Sequence, residues 1–190
     1  GYDGGAVFSP DGKKIVFRAS GPKTEEEIKK YKTLLAQNLI SPTRLEIYTC
    51  NSDGSDLRQI TNLGKANWAP CFHPSGEKII FSSNHHSQKG FDFQLFLMNA
   101  DGTGLEQITT ESPFNSFPMF SPDGKLFVFS SNRNNGGTHD TNVFIAEWAE
   151  WTSDGENDAK AKWNEKSFYQ SAKADCNEPC WIVTNKELFL

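Results

Sequence analysis

Short apolar runs alternate with polar turn clusters along most of this chain, and one such pattern recurs three times. The runs Ile15-Val16-Phe17, Ile79-Ile80-Phe81 and Phe127-Val128-Phe129 each follow a proline-centred turn. Those turns read Phe8-Ser9-Pro10-Asp11-Gly12-Lys13, Phe72-His73-Pro74-Ser75-Gly76-Glu77 and Phe120-Ser121-Pro122-Asp123-Gly124-Lys125. Proline presets φ at the first central turn position, and glycine supplies the backbone freedom that closes the turn. A second turn recurs as Asn51-Ser52-Asp53-Gly54 and Asn99-Ala100-Asp101-Gly102, with Asp-Gly as a hairpin signal. Apolar runs of this length, bounded by such turns, predict antiparallel strands.

The spacing of the turns defines the unit. Pro74 and Pro122 lie 48 residues apart, as do Asn51 and Asn99, whereas Pro10 and Pro74 lie 64 apart. The first unit therefore carries 16 additional residues. A period of this size belongs to propeller blades, in which each repeat is a four-stranded antiparallel sheet. In the second unit the pattern predicts strands over 69–72, 78–83, 93–98 and 105–109. The third unit has strands expected at 117–120, 126–131 and 142–148, and the first has its third and fourth at 45–50 and 57–61. The expected fold is all-β: three four-stranded antiparallel propeller blades within 1–148, a partial propeller, with one helical insertion at about 21–44. Blade faces that pack on one another need large flat side chains, and the 15 Phe and 5 Trp residues supply them.

Within the insertion, Thr24 and Glu27 have capping-box spacing, and the run Glu25-Glu26-Glu27 suits the positive end of a helix dipole. Ile28, Tyr31 and Leu35 follow at helical spacing, which predicts a helix over about 25–37. In a propeller this insertion sits over one mouth of the central channel, as a surface decoration or as a lid or docking element. Residues 149–190 depart from the repeat and form a tail of unknown structure. Ala159 to Phe168 has helical character, and Trp181-Ile182-Val183-Thr184 reads as a short strand able to add to an open sheet edge.

Closed propellers have four to eight blades. Three units therefore do not complete a ring, and the expectation is either a fragment of a longer protein, which is preferred, or a ring completed by self-association or a companion chain. The net charge is −5, with Lys and Arg scattered and no basic stripe, which argues against nucleic acid as a partner. The longest apolar runs are of strand length, so no segment is expected to span a membrane. Cys50 aligns with Met98, and Cys71 with Met119, so both are expected as buried, unpaired thiols. Cys176 and Cys180 form a lone Cys-Asn-Glu-Pro-Cys pair, too few ligands for a structural zinc site, with a local disulfide as the alternative to free thiols.

Catalytic patterns are sparse. No Gly-x-Ser-x-Gly nucleophile elbow and no phosphate-binding glycine loop occurs, and no cofactor or metal is expected. The constellation that stands out is Asn84-His85-His86, at the end of a second strand, matched in the third unit by Asn132-Arg133. With Trp68 and Phe117 from the inter-blade connections, these residues are expected to line a ligand-facing rim: Trp68, Asn84, His85, His86, Phe117, Asn132 and Arg133.

The Phe-Ser-Pro-Asp-Gly-Lys turn, the Phe-Ser-Ser-Asn strand ends at 81–84 and 129–132, and the Asn-x-Asp-Gly turn followed by Gln-Ile-Thr at 59–61 and 107–109 resemble the TolB-like β-propeller repeat family. The resemblance covers about residues 4–148. It implies a WD-repeat-like propeller of the periplasm or extracellular space, in contact with proteins of the cell envelope. The leading expectation is a non-catalytic scaffold that binds a protein or ligand. The alternatives are the propeller of a larger serine peptidase-like hydrolase, gating substrate entry, and a metal-dependent polysaccharide-processing propeller.

Overall fold

Each Pro-Gly turn closes a hairpin whose register it sets. The computed structural model describes residues 2–41, 44–138 and 140–148 and the backbone at 169–170. The first sheet contains β1 (Gly4–Phe8), β2 (Lys14–Ala19), β3 (Glu46–Asn51) and β4 (Arg58–Gln59), with helix α1 (Glu25–Leu35) inserted between β2 and β3. The second contains β5 (Asn67–Phe72), β6 (Lys78–Ser83), β7 (Gln94–Asn99) and β8 (Glu106–Gln107). The third contains β9 (Asn115–Phe120), β10 (Leu126–Ser131), β11 (Asn142–Glu147) and β12 (Tyr169–Gln170). All three are antiparallel meanders, as the repeat predicts.

The turns are alike in atomic detail. Gly12, Gly76 and Gly124 have φ of 70°, 76° and 72°, and their amides donate to the carbonyls of Ser9, His73 and Ser121. Positive φ of this kind is open to glycine at little cost. Ser9 Oγ donates to Asp11 Oδ1 at 2.6 Å, and Ser121 Oγ to Asp123 Oδ1 at 2.6 Å. These bonds, with help from the Lys13 and Lys125 amides, hold both carboxyls below the ordinary aspartate pKa. In the second unit His73 and Ser75 replace that pair, with Nδ1 and Oγ 2.9 Å apart.

The first strands of successive sheets lie side by side, β1 against β5 and β5 against β9, which places them nearest the propeller axis. Two apolar cores fill the spaces between sheets. Val16 and Ile47 of the first sheet meet Phe72, Ile79, Phe81, Phe96 and Met98 of the second. Ile80, Leu95, Leu97 and Ile108 of the second meet Phe120, Phe127, Phe129 and Phe144 of the third. The same backbone links tie both boundaries. Leu45 and Ala66 form one isolated parallel bridge, and Phe93 and Phe114, each 48 residues on, form the other.

Buried polar groups repeat with the same period. The Glu46 carboxylate accepts from Thr61 Oγ1 at 2.6 Å, Gly64 N at 2.7 Å and Asn67 Nδ2 at 3.3 Å. At the next boundary Gln94 Oε1 accepts from Thr109 Oγ1 at 2.6 Å and Asn115 Nδ2 at 2.9 Å. A buried polar group left unpaired is costly, so these partners fix where one sheet meets the next.

Helix α1 begins at its predicted cap. Thr24 Oγ1 accepts from the Glu27 amide at 3.2 Å, and the Glu27 carboxylate accepts in turn from the Thr24 amide at 3.2 Å. It ends at Leu35, two residues short of the expected bound, and buries none of its residues.

Three expectations are revised. The third sheet takes its fourth strand from Tyr169–Gln170, beyond the boundary at 148, because no Asn-x-Asp-Gly turn follows β11 to bring the chain straight back. Cys50 and Cys71 are free thiols but only half-buried. Cys50 lies on the face of the first sheet that turns away from the second, where none of the other described sheets packs. Trp68 and Phe117 belong to strands rather than to connections: β5 begins two residues earlier than the apolar run implied and so takes in Trp68, and Phe117 lies within β9 as the strand expected at 117–120 already has it. The segments at 159–168 and 181–184 and the Cys176–Cys180 pair lie outside the described residues.

Candidate functional site

The innermost strands share an irregularity that re-aims their side chains. Pairing slips between Gly4 and Val7 in β1, between Trp68 and Cys71 in β5, and between Ser116 and Met119 in β9. At each slip one residue adopts positive φ: Gly5 at 65°, Ala69 at 49° and Phe117 at 55°. Bulges of this kind bend a strand and turn a side chain off the regular alternation. Positive φ costs a residue with a Cβ about 1 kcal/mol. Phe117 adopts it with its ring 59% exposed, so little burial of its own offsets that cost.

Trp68, one residue before the bulge in β5, joins the aromatic groups of this region. Its ring stacks on Phe93 at 4.6 Å with 12° between planes, and on Phe117 at 6.4 Å with 17°. Phe114 meets Phe93 edge-on at 6.2 Å. Trp68 Nε1 is shielded from solvent and has no hydrogen-bond partner among the described residues. The result is a ladder of near-parallel rings spanning the second and third sheets, ending in the exposed face of Phe117.

The polar members sit at the ends of β6 and β10 in matched environments. His85 Nδ1 lies 2.9 Å from Ser83 Oγ, and its ring lies 4.5 Å from that of Phe96. Arg133, 48 residues on, donates from Nε to Ser131 Oγ at 3.1 Å and stands over Phe129 and Phe144 at 5.0 and 5.6 Å. Its Nη2 also donates to Asn115 Oδ1 at 2.9 Å. His86 is exposed and meets the His85 ring edge-on at 5.7 Å. Burial, then the neighbouring His86, push the His85 pKa down; burial is the leading cause for His86 as well. Burial also draws the Arg133 pKa below the ordinary guanidinium value.

Asn84 and Asn132 are committed to the backbone. Asn84 Oδ1 accepts from the Ala66 amide at 2.9 Å and its Nδ2 donates to the Gly90 carbonyl at 2.7 Å. Asn132 Oδ1 accepts from the Phe114 amide at 3.1 Å. Both close the junction between one sheet and the start of the next. The structure thus joins Trp68 to Phe117 and His85 to His86, keeps Arg133 on the third sheet, and gives Asn84 and Asn132 structural partners. Phe93 and Phe114 complete the ladder and escaped the sequence reading, because the parallel bridge that pairs them and the stacking of Phe93 on Trp68 join segments distant in the chain.

Beneath α1 lies a cleft of about 210 Å³ lined by Glu27, Lys30, Tyr31, Leu34 and Arg44, in which Glu27 pairs with Arg44. Among the described residues, no three His, Cys, Asp or Glu side chains gather where a metal ion could sit. No described helix is long and apolar enough to cross a membrane.

The PD40 family, described as the TolB beta propeller domain, matches residues 40–167. The chain belongs to the TolB β-propeller family. Among solved structures, TolB from Acinetobacter baumannii is similar at 22% identity and a TM-score of 0.55, over 76% of this chain and 29% of that one. The putative TolB from Agrobacterium tumefaciens is similar at 22% identity and a TM-score of 0.53, over 74% of this chain and 43% of its own. The β-propeller domain of the Trilobed protease from Pyrococcus furiosus shares the fold at 10% identity and a TM-score of 0.53, over 91% of this chain and 43% of that one. The chain spans less than half the length of each. No curated protein matches it. In this TolB-type propeller, the bulged inner strands and the ends of the second strands together form the candidate site.

Proposed function

We propose that this chain is a non-catalytic binding module of the cell envelope or extracellular space, and that its ligand is a protein segment carrying exposed aromatic side chains. The observation that carries the reading is the ladder Phe93–Trp68–Phe117, ending in a ring that is 59% exposed on a backbone in positive φ. A further ring stacked on Phe117 would extend the ladder, and offset stacking of aromatic pairs contributes about 0.5–1.5 kcal/mol each beyond area burial. His86 and the imidazole edge of His85 add hydrogen-bonding groups that are neutral at pH 7, so recognition there depends little on ionic attraction.

A second reading takes as its support the same fold in the propeller domain of the Trilobed protease: a linked hydrolase would use the same propeller mouth to admit substrate. One experiment separates the two. The chain is titrated by calorimetry with a short extended peptide of alternating Tyr and Ser residues, and the same mixture is followed by mass spectrometry. Binding by the unaltered chain, its loss in Trp68→Ala, and an uncleaved peptide are the expected results. Absence of binding by the unaltered chain overturns the proposal, and cleavage of the peptide favours the hydrolase.

A further inference from the structure

Taking the aromatic ladder as a docking site, we propose that Arg18 holds a carboxylate of the segment bound there, so that the ligand is acidic as well as aromatic. Arg18 stands on β2, paired with Gly4 of β1. It shares a face of β2 with Val16, which packs against the second sheet. Its guanidinium lies over two glycines. A Cβ on Gly4 would meet Nη2 at 3.4 Å, and one on Gly5 would meet Nη1 at 3.3 Å and Pro70 Cδ of β5 at 4.0 Å. The equivalents of Gly4 and Gly5 are Trp68 and Ala69 in the second sheet and Ser116 and Phe117 in the third. Side chains thus occupy the corresponding places in the other two described sheets, and glycine in the first leaves room for an arginine to reach toward β5.

The repeat shows what this boundary otherwise holds. By the 64- and 48-residue offsets, Arg18 corresponds to Ser82 and Trp68 to Ser116. At the second boundary those two hydroxyls meet at 2.9 Å, and Ser82 Oγ lies 3.2 Å from the Asn115 carbonyl. Hydroxyls donate and accept, so that pair satisfies itself. At the first boundary both positions carry groups that only donate. Arg18 Nε and Trp68 Nε1 are shielded from solvent, and neither has an acceptor among the described residues.

Arg18 also lacks a carboxylate partner among the described residues. Asp3, next to Gly4, accepts from the Ser20 amide at 3.1 Å instead. The Tyr2 ring covers one face of the guanidinium at 4.6 Å, which leaves the N–H edge in its plane unsatisfied. Arg133 is the contrast: its Nε and Nη2 donate to Ser131 Oγ and Asn115 Oδ1. An arginine that serves packing in this fold is therefore bonded to its surroundings, and Arg18 is not.

Shielded donors without acceptors are rare and costly. The group that answers a guanidinium edge is an acceptor-only anion, and a carboxylate matches its fork with two parallel bonds. The net charge of −5 disfavours a polyanion, which leaves an isolated acidic group on an otherwise neutral segment. Since the same boundary carries Trp68, that carboxylate belongs to the segment that stacks on the ladder.

Calorimetry on the full chain with a matched peptide set tests this. The parent is the alternating Tyr-Ser peptide, blocked at both ends and uncharged. In each companion one serine is replaced by aspartate. At least one companion is expected to bind about tenfold more tightly than the parent, the worth of one charge-assisted bond. In Arg18→Gln that advantage should vanish. Binding of the parent with no gain from any aspartate overturns the proposal and leaves the docking site standing, whereas no binding by any peptide overturns both. An advantage that survives in Arg18→Gln overturns the assignment to Arg18. Should that variant fail to fold, the Arg18 Nε–H resonance reports on the unaltered chain. It should shift on saturation with the tightest aspartate peptide and stay fixed with the parent. A resonance fixed with both overturns the proposal.

Discussion

A Cβ placed on Gly102 would lie 2.4 Å from the carbonyl oxygen of Ile60 in the preceding sheet. Its sister residue Gly54, in the same turn one unit earlier, has open space around it. Both adopt positive φ, 90° and 84°. Alanine at either site carries the backbone strain of about 1 kcal/mol, but only Gly102→Ala also forces two sheets apart. Gly102→Ala is expected to cost about 1–3 kcal/mol more than Gly54→Ala. Urea denaturation of the two variants checks this, and equal losses would show that the sheets are not packed as described.

Phe117→Gly separates strain from function. Glycine relieves the positive φ at this position, and the ring it removes is mostly exposed. The melting midpoint is expected to hold or rise, while affinity for an aromatic peptide falls at least fivefold. A marked loss of stability would mean that the ring serves packing rather than recognition.

The periodicity made the sheets legible because turn chemistry and apolar runs repeat at the same offset. Strand β6, at Lys78–Ser83, matches its expected bounds, and Thr24 caps α1 as its spacing required. The site was less legible. Trp68 and Phe117 were identifiable as unusual aromatic residues, but their contact depends on bulges at Ala69 and Phe117 that no local residue preference announces. Asn84 and Asn132 read as rim residues because polar strand ends usually face solvent, whereas here they satisfy the Ala66 and Phe114 amides that lead into their own sheets. Cys50 read as buried because Met98 is, and the difference lies in the neighbour rather than the residue.

The helix should melt apart from the sheets. None of its residues is buried, and the Thr24 hydroxyl bonds only to the Glu27 amide of the same helix, so losing it weakens α1 and not the sheets. Thr24→Ala is expected to cost α1 about 1 kcal/mol. Hydrogen exchange should show faster exchange across 25–35 with β6 and β7 unchanged.

The histidines give a pH dependence with a definite sign. Both His85 and His86 have their pKa values lowered in the folded chain, first by burial. The unfolded chain then binds protons more readily, so stability is complete above the unfolded value of about 6.5 and is lost as pH falls through the lower folded values. Between pH 7.5 and 5 the urea midpoint should fall, and His85→Gln should flatten that fall. The carboxylates lowered by their turns, Asp11 and Asp123 among them, add a further loss only below the usual aspartate range. A midpoint that rises on acidification over this interval would contradict the placement of both rings.

The aromatic ladder as a docking site is tested most directly at the Trp68 indole. In a proton–nitrogen correlation spectrum, the Trp68 Nε1–H resonance is assigned by its loss in Trp68→Phe and followed during titration with the Tyr-Ser peptide. The account predicts a saturable shift of that resonance in the unaltered chain and a shift at least fivefold weaker at matched peptide concentration in Phe117→Gly. An indole resonance that stays fixed while other signals saturate would place binding elsewhere on the propeller and contradict the site.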